Sequence, residues 1–353
     1  MLVVHSAAHW GHDPTSEVET GVIVTPYERP ARAEAIHDAL AADGDFSITE
    51  PDEHGLEPII AVHDADYVAF LDTAWNEWAR AMPARRQAIP DSFPNPALRD
   101  GMGPGRAPTG AVARLSYYGF DTATVLLEAT YSAARAAADV ALTATDAVLQ
   151  GDPIAYALCR PPGHHAPRAA FGGYCFLNNP AIAAEHAMRA GAARVAVLDV
   201  DYHHGNGTQQ IFYERGDVLY VSLHADPDRA YPYFTGFADE RGAGAGAGAT
   251  LNLALDAGCD DNKFLDTLTH AVDVVDRFEP DLVVVSLGVD TYGGDPLGDL
   301  AVTDDAYHPA GLAVAAIDRP LVVVQEGGYA VAAMGGLVRS FLRGAARLPV
   351  NPR

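Results

Sequence analysis

Four short segments of this chain concentrate side chains that can bind a metal ion or move a proton: Arg160-Pro161-Pro162-Gly163-His164-His165, Asp199-Val200-Asp201-Tyr202-His203-His204-Gly205-Asn206, Gly288-Val289-Asp290 and Glu326-Gly327-Gly328-Tyr329. Asp201 and His203 stand two apart on an extended segment, so their side chains project to the same side and can share a cation. Asp290 supplies a third ligand from a separate segment. One nitrogen and two carboxylates leave coordination positions for water or substrate. That suits a catalytic zinc or another Lewis-acidic divalent ion, whereas a closed structural site would favour cysteines. The adjacent His164 and His165 are natural acid-base groups, because imidazole titrates near neutrality and can take a proton from an attacking water and return it to a leaving amine. Any one of these residues alone reads as a cap or a loop hydrogen bond. Their coincidence in four segments points to a site.

The elements that must position them are short apolar runs, one ahead of each segment. Such runs recur: LVV near residue 3, IIAV near 60, IAYALCR at 154–160, RVAVLDVD at 194–201, VLYVSLH at 218–224, TLNLAL at 250–255, DLVVVSLGVD at 281–290 and PLVVVQEGG at 320–328. Most are continuous rather than alternating, which predicts strands buried on both faces of a parallel sheet. The stretches 126–150, 180–191 and 262–278 are Ala-rich or amphipathic and long enough for crossover helices. In parallel sheets ligands bind beyond the carboxyl ends of the strands, where the chemical segments fall. No composition shift marks a boundary, so the pattern predicts one doubly covered α/β domain over residues 1–353. Residues 83–110, with six prolines and four arginines, read as a long ordered loop or arm. The GAGAGAGA stretch at 242–249 reads as a mobile or tightly packed surface loop.

Composition narrows the function classes. The chain has 353 residues, 49% hydrophobic and 20% charged, the balance of a protein with a substantial core. Its net charge is −24, and Lys263 is its one lysine, which argues against nucleic acid and anionic membranes as partners. No apolar run reaches the length of a membrane span and the N-terminus lacks a basic start, so a cytoplasmic location is expected. Cys159, Cys175 and Cys259 lack CxxC spacing and read as buried thiols. His5, His9 and His12 lie close in sequence without acidic partners and are expected to fill surface or loop roles. Trp75 and Trp78 fall in the helix-like stretch 64–82 and are expected to pack against the body or a second subunit.

RPPGHHA (160–166), FGGYCFLNN (171–179), LDVDYHHGNGTQ (198–209), SLHADP (222–227), SLGVDTYGGDPL (286–297) and EGGY (326–329) resemble the signature blocks of the arginase/deacetylase superfamily. The branch most resembled is that of acetylpolyamine amidohydrolases and class II histone deacetylase-like amidohydrolases, and the similarity runs from near residue 1 to beyond 330. The resemblance implies a mainly parallel, roughly eight-stranded sheet covered by helices on both faces. It implies zinc on Asp201, His203 and Asp290, His165 as proton shuttle, His164 as its electrostatic neighbour, and Asp199 and Asn206 orienting that pair. Tyr329 matches the tyrosine that polarises the acyl carbonyl. Tyr174 and Tyr231 match the walls of the acyl tunnel, Gly173 the backbone contact to the substrate amide and Leu297 a lining residue. Asp199 and Ser222 match side chains of a potassium site that otherwise uses backbone carbonyls, including those of Asp201, His203 and Leu223.

The implied activity is hydrolysis of a small N-acylated amine, with an acetylpolyamine-specific enzyme, a protein deacetylase or a non-catalytic binder of acetylated ligands as other readings. A manganese ureohydrolase is disfavoured because His203-His204-Gly205-Asn206 lacks the further acidic ligand expected there. A homodimer built around 83–110 is implied by the same branch. Residues 109–118, with Ala111, Val112, Ala113 and Arg114 beside Arg99 and Arg106, are expected to form an apolar, basic entrance that favours neutral amides over polyamines.

Overall fold

The computed structural model describes residues 1–103 and 105–350, and at Arg99 the backbone alone. Ten strands occur among the described residues: β1 (Leu2–His5), β2 (Glu17–Glu19), β3 (Val22–Val24), β4 (Ser47–Thr49), β5 (Ile154–Leu158), β6 (Val195–Asp199), β7 (Val218–Ala225), β8 (Thr250–Leu255), β9 (Leu282–Leu287) and β10 (Leu321–Gln325). Eight form one sheet in the order β4-β1-β5-β10-β9-β6-β7-β8 with every neighbouring pair parallel.

Continuous apolar strands arise because both faces are covered. In β6, Val195 and Val197 enter one core while Ala196 and Leu198 enter the other. Helices Ala31–Ala41, Asp261–Phe278, Tyr307–Ala315 and Val331–Ala345 cover one face, and Ala65–Ala81, Thr130–Leu149 and Asn179–Arg189 the other. Trp78 is buried and Trp75 packs beside it in the second core. The three cysteines are free and buried. No described helix is long and apolar enough to cross a membrane.

One expected strand is absent. IIAV near 60 lies at a single helical turn, Glu57–Ile60, with Ile59 buried and Ile60 exposed. Pro58 explains this, since it cannot donate to a central ladder and suits a first helical turn. The eighth strand is instead β4, three residues at the sheet edge, too short to leave a pattern. The hairpin β2-β3, closed by Thr20 and Gly21 at φ 47° and 81°, is also new. The Gly-Ala stretch is a surface loop anchored at one point: Gly246 is buried while Gly244, Ala245, Ala247 and Gly248 are exposed, and the Ala243 amide donates to the Tyr213 carbonyl at 2.9 Å.

Candidate metal and acid-base site

The sheet order explains why distant segments meet. β5, β10, β9 and β6 are consecutive neighbours at the centre, in register at their carboxyl ends, where Asp199 pairs with Ser286 and Gln325 with Leu287. The four chemical segments are the continuations of these four strands.

Asp201, His203 and Asp290 converge with ligand atoms within 4.8 Å of one another, all three buried. His203 Nδ1 lies 3.3 Å from Asp201 Oδ1 and 3.1 Å from Asp290 Oδ2. The other carboxylate oxygens are held by backbone amides, Gly327 N to Asp201 Oδ2 at 2.7 Å and Tyr202 N to Asp290 Oδ1 at 2.9 Å. Each carboxylate therefore turns one oxygen to the shared space. Gly288 and Gly327 back this cradle, and a Cβ on either would strike the carboxylate oxygens. Burial pushes the Asp290 carboxyl up to about 7, reinforced by neighbouring Asp201, and the two acids raise His203 to about 9 against the opposing effect of burial. Two buried carboxylates and one imidazole are a donor set that a divalent cation would suit, its charge taking the place of the protons on Asp290 and His203.

The histidine pair stands beside this group with ring centroids 4.1 Å apart. His164 Nδ1 faces Asp199 Oδ2 at 3.1 Å, and His165 Nδ1 faces Asn206 Oδ1 at 2.7 Å. Burial opposes a charge on His164, but Asp201 and Asp199 outweigh it and lift the imidazole to about 10. Burial lowers His165 well below the ordinary imidazole range, and its charged neighbours His164 and His203 add to that. Burial also pushes Asp199 up. We take it as ionised because His164, the Tyr220 hydroxyl and the Asp201 amide converge on it. The two imidazoles are thus held differently, His164 by a carboxylate and His165 by a carboxamide.

Three of the residues matched to the tunnel, Tyr174, Tyr231 and Gly173, lie against His165 or Tyr329. Tyr231 meets the His165 ring edge-on at 5.0 Å, and Tyr174 lies 5.8 Å from the Tyr329 ring. Gly173, at φ 57°, passes so close to His165 that a Cβ would overlap its ring. Leu297 is half-buried on the loop after β9, its amide bonded to Asp295 Oδ1. Asp199 and Ser222 are register neighbours on β6 and β7, and Ser222 Oγ is 2.8 Å from His224 Nδ1.

Two sequence expectations change. His9 and His12 are buried, and His12 Nε2 lies 3.9 Å from an acid, Glu28, that is remote in sequence. Residues Ala111–Tyr118 form a helix rather than a loop, and Arg114 is held by both oxygens of Glu77 at 2.7 and 2.6 Å with its guanidinium over Phe70. Arg114 is therefore no free cation at an entrance, and the side chain of Arg99 lies outside the described residues. Acids instead hold the two tyrosines: Glu17 Oε1 accepts the Tyr174 hydroxyl at 3.0 Å, and Asp121 Oδ2 accepts the Tyr231 hydroxyl at 2.8 Å and the Gly173 amide at 2.5 Å.

Sequence reasoning missed Asp121 and Asp295, which follow no strand directly, and Arg32, whose bonds to the Gly328 and Glu326 carbonyls span 296 and 294 residues. The Glu28 partner of Arg32 also binds Arg160, and nothing in local spacing announces that buried trio.

A parallel sheet with an Asp-His-Asp group and a histidine pair beyond its central strands defines a metal-site hydrolase architecture, and comparison with known proteins gives its family. The histone deacetylase domain matches residues 26–345, and the chain belongs to the histone deacetylase family. With that membership comes its class, a hydrolase acting on linear amides. The chain is 42% identical over 346 residues to the acetylpolyamine amidohydrolase of Mycoplana ramosa, covering 98% of this chain and 100% of that one. It is 45% identical to the acetylpolyamine amidohydrolase of Burkholderia pseudomallei (strain 1710b), covering 94% and 95%. The crystal structure of an acetylpolyamine aminohydrolase from Burkholderia pseudomallei superposes with a TM-score of 0.92 at 43% identity, over 99% of both chains.

Proposed function

We propose that this chain is a zinc-dependent amidohydrolase that releases acetate from small acetylated amines, including those with a cationic end. The observation that carries this reading is the buried Asp201-His203-Asp290 group beside a histidine pair whose Nδ1 atoms face Asp199 and Asn206. Zinc bound there would polarise the acyl carbonyl and activate a water. The proton steps belong to the protein. With Nδ1 engaged by Asn206, His165 takes the proton of the attacking water at Nε2. His164, held cationic by Asp199, steadies the charge that develops. Tyr329 donates its hydroxyl to the oxyanion forming on the acyl oxygen. A proton passed to the departing nitrogen completes a free amine and acetate.

Tyr174 and Tyr231 confine the acyl chain, Gly173 offers backbone to the substrate amide and Leu297 lines the passage. Glu17, tied to the far end of Tyr174, offers an anion to an ammonium group. For potassium, Asp199 and Ser222 supply buried oxygens on adjacent strands, the donor chemistry a hard monovalent ion prefers. Phe93, Leu98 and Met102 are exposed on the 83–110 segment and support its use in a homodimer. Three reduced, buried thiols fit a cytoplasmic location. The deciding experiment measures kcat/KM for acetylputrescine, acetylspermidine and a neutral acetyl-lysine anilide on zinc-loaded protein. Turnover of none of them would reject the reading, and a tenfold preference for the neutral amide would remove the cationic substrate from it.

A further inference from the structure

Gly327 and Gly328 give the segment that carries Tyr329 little conformational preference of its own, and Gly328 sits at φ 119°, a region glycine tolerates. What fixes the Tyr329 ring must therefore come from outside the segment. Arg32 acts on one side: it binds the Glu326 and Gly328 carbonyls at 2.7 and 2.6 Å and lies 4.8 Å over the Tyr329 ring. Asp295 acts on the other. Its Oδ2 accepts the Tyr329 amide at 2.6 Å and the Ala330 amide at 3.0 Å, while its Oδ1 accepts the Leu297 amide at 3.0 Å. One buried carboxylate thus joins the tyrosine segment to the loop that carries Leu297.

We propose that Asp295 is a positioning residue for amide hydrolysis, setting where the Tyr329 hydroxyl stands relative to the acyl carbonyl and coupling that position to the Leu297 loop. The inference rests on the oxyanion role given to Tyr329 above. A carboxylate is suited to this task because it offers two acceptor oxygens and no donor, so N–H groups from two segments can share it. A carboxamide of the same shape can satisfy one segment only, since its NH2 would oppose the N–H of the other. A displacement of about 1 Å at a reacting group can cost about 100-fold in rate.

The test compares kcat and KM for acetylputrescine in the zinc-loaded wild type, Asp295→Asn, Tyr329→Phe and the double variant. Asp295→Asn is expected to lower kcat by about 10- to 100-fold with KM changed less than about threefold. In the Tyr329→Phe background it is expected to cost almost nothing, because there is no hydroxyl left to place. Losses that multiply in the double variant would overturn the proposal while leaving Tyr329 in its role. A Tyr329→Phe protein with wild-type kcat would remove the role of Tyr329 and the proposal with it. Should Asp295→Asn fail to fold, Ala330→Pro keeps the question open to measurement: φ at Ala330 is −74°, which proline accepts, and the change deletes one donor to Oδ2 without touching the carboxylate. A smaller kcat loss, again absent with Tyr329→Phe, supports the proposal; an unchanged kcat refutes it.

Discussion

Replacing Asn206 by aspartate tests the division of labour between the two histidines. His164 and His165 are both buried, have rings 4.1 Å apart, and differ chiefly in what meets Nδ1: a carboxylate for His164 and a carboxamide for His165. That difference accompanies an imidazole lifted to about 10 in the first case and one pushed well below its usual range in the second. Asn206→Asp puts a charge at the 2.7 Å contact. With ~5 Å between charge centres and an effective dielectric of ~20, the attraction is ~3 kcal/mol, equivalent to about two pH units. The sign follows from the chemistry. His165 must be neutral to accept a proton, so a raised pKa keeps it protonated to higher pH and moves the acidic limb of the kcat/KM profile upward by about two pH units. Activity should fall on the acidic side of the profile and return as the pH is raised. The assay is acetate release from acetylputrescine across the pH range for both proteins at equal zinc occupancy. An acidic limb that stays in place would refute the assignment of His165 as base.

Asp290→Ala should lose bound zinc and activity together while its Tm stays within a few degrees of the parent; full turnover by demonstrably metal-free variant protein would reject the ligand set. Burial raises Glu17 to about 7, so the group gains charge as pH rises through that value, and KM for acetylputrescine should fall between pH 6 and 8 while KM for a neutral acetamide stays flat. Glu17→Gln should abolish the difference, and equal pH responses in the wild type would sink the idea. Deletion of 95–105 should yield monomers and alter substrate choice; light scattering that finds the intact protein monomeric at micromolar concentration contradicts a dimer on this arm.

The sequence made the strand-end chemistry legible because each site segment directly continues a Val/Leu-rich run, and β5, β6, β9 and β10 all lie where those runs fall. What escaped is physical in origin. β4 is three residues long and polar at its ends, so edge pairing with β1 rather than its own pattern makes it a strand. IIAV near 60 has strand composition, yet Pro58 removes the ladder donor and the chain takes a helical turn. Around the site, the His164-His165 pair stands out by its place after a strand and Asn206 by the family blocks, but Asp121, Asp295 and Arg32 act through backbone groups far away in sequence. Arg114 shows the reverse error, since its charge was visible and its partner Glu77, 37 residues earlier, was not.

The central place of β10 has a consequence for how the molecule comes into being. β10 alone joins β4-β1-β5 to β9-β6-β7-β8, and it is the last strand synthesised. A chain that stops before residue 321 would carry its Asp-His-Asp group on one half-sheet and its histidine pair on the other, with the open edges of β5 and β9 available to unwanted pairing. Competence arrives only when the final strand threads the gap, which makes hydrolysis itself a report on completed folding and marks the unfinished chain as the species most in need of chaperone protection.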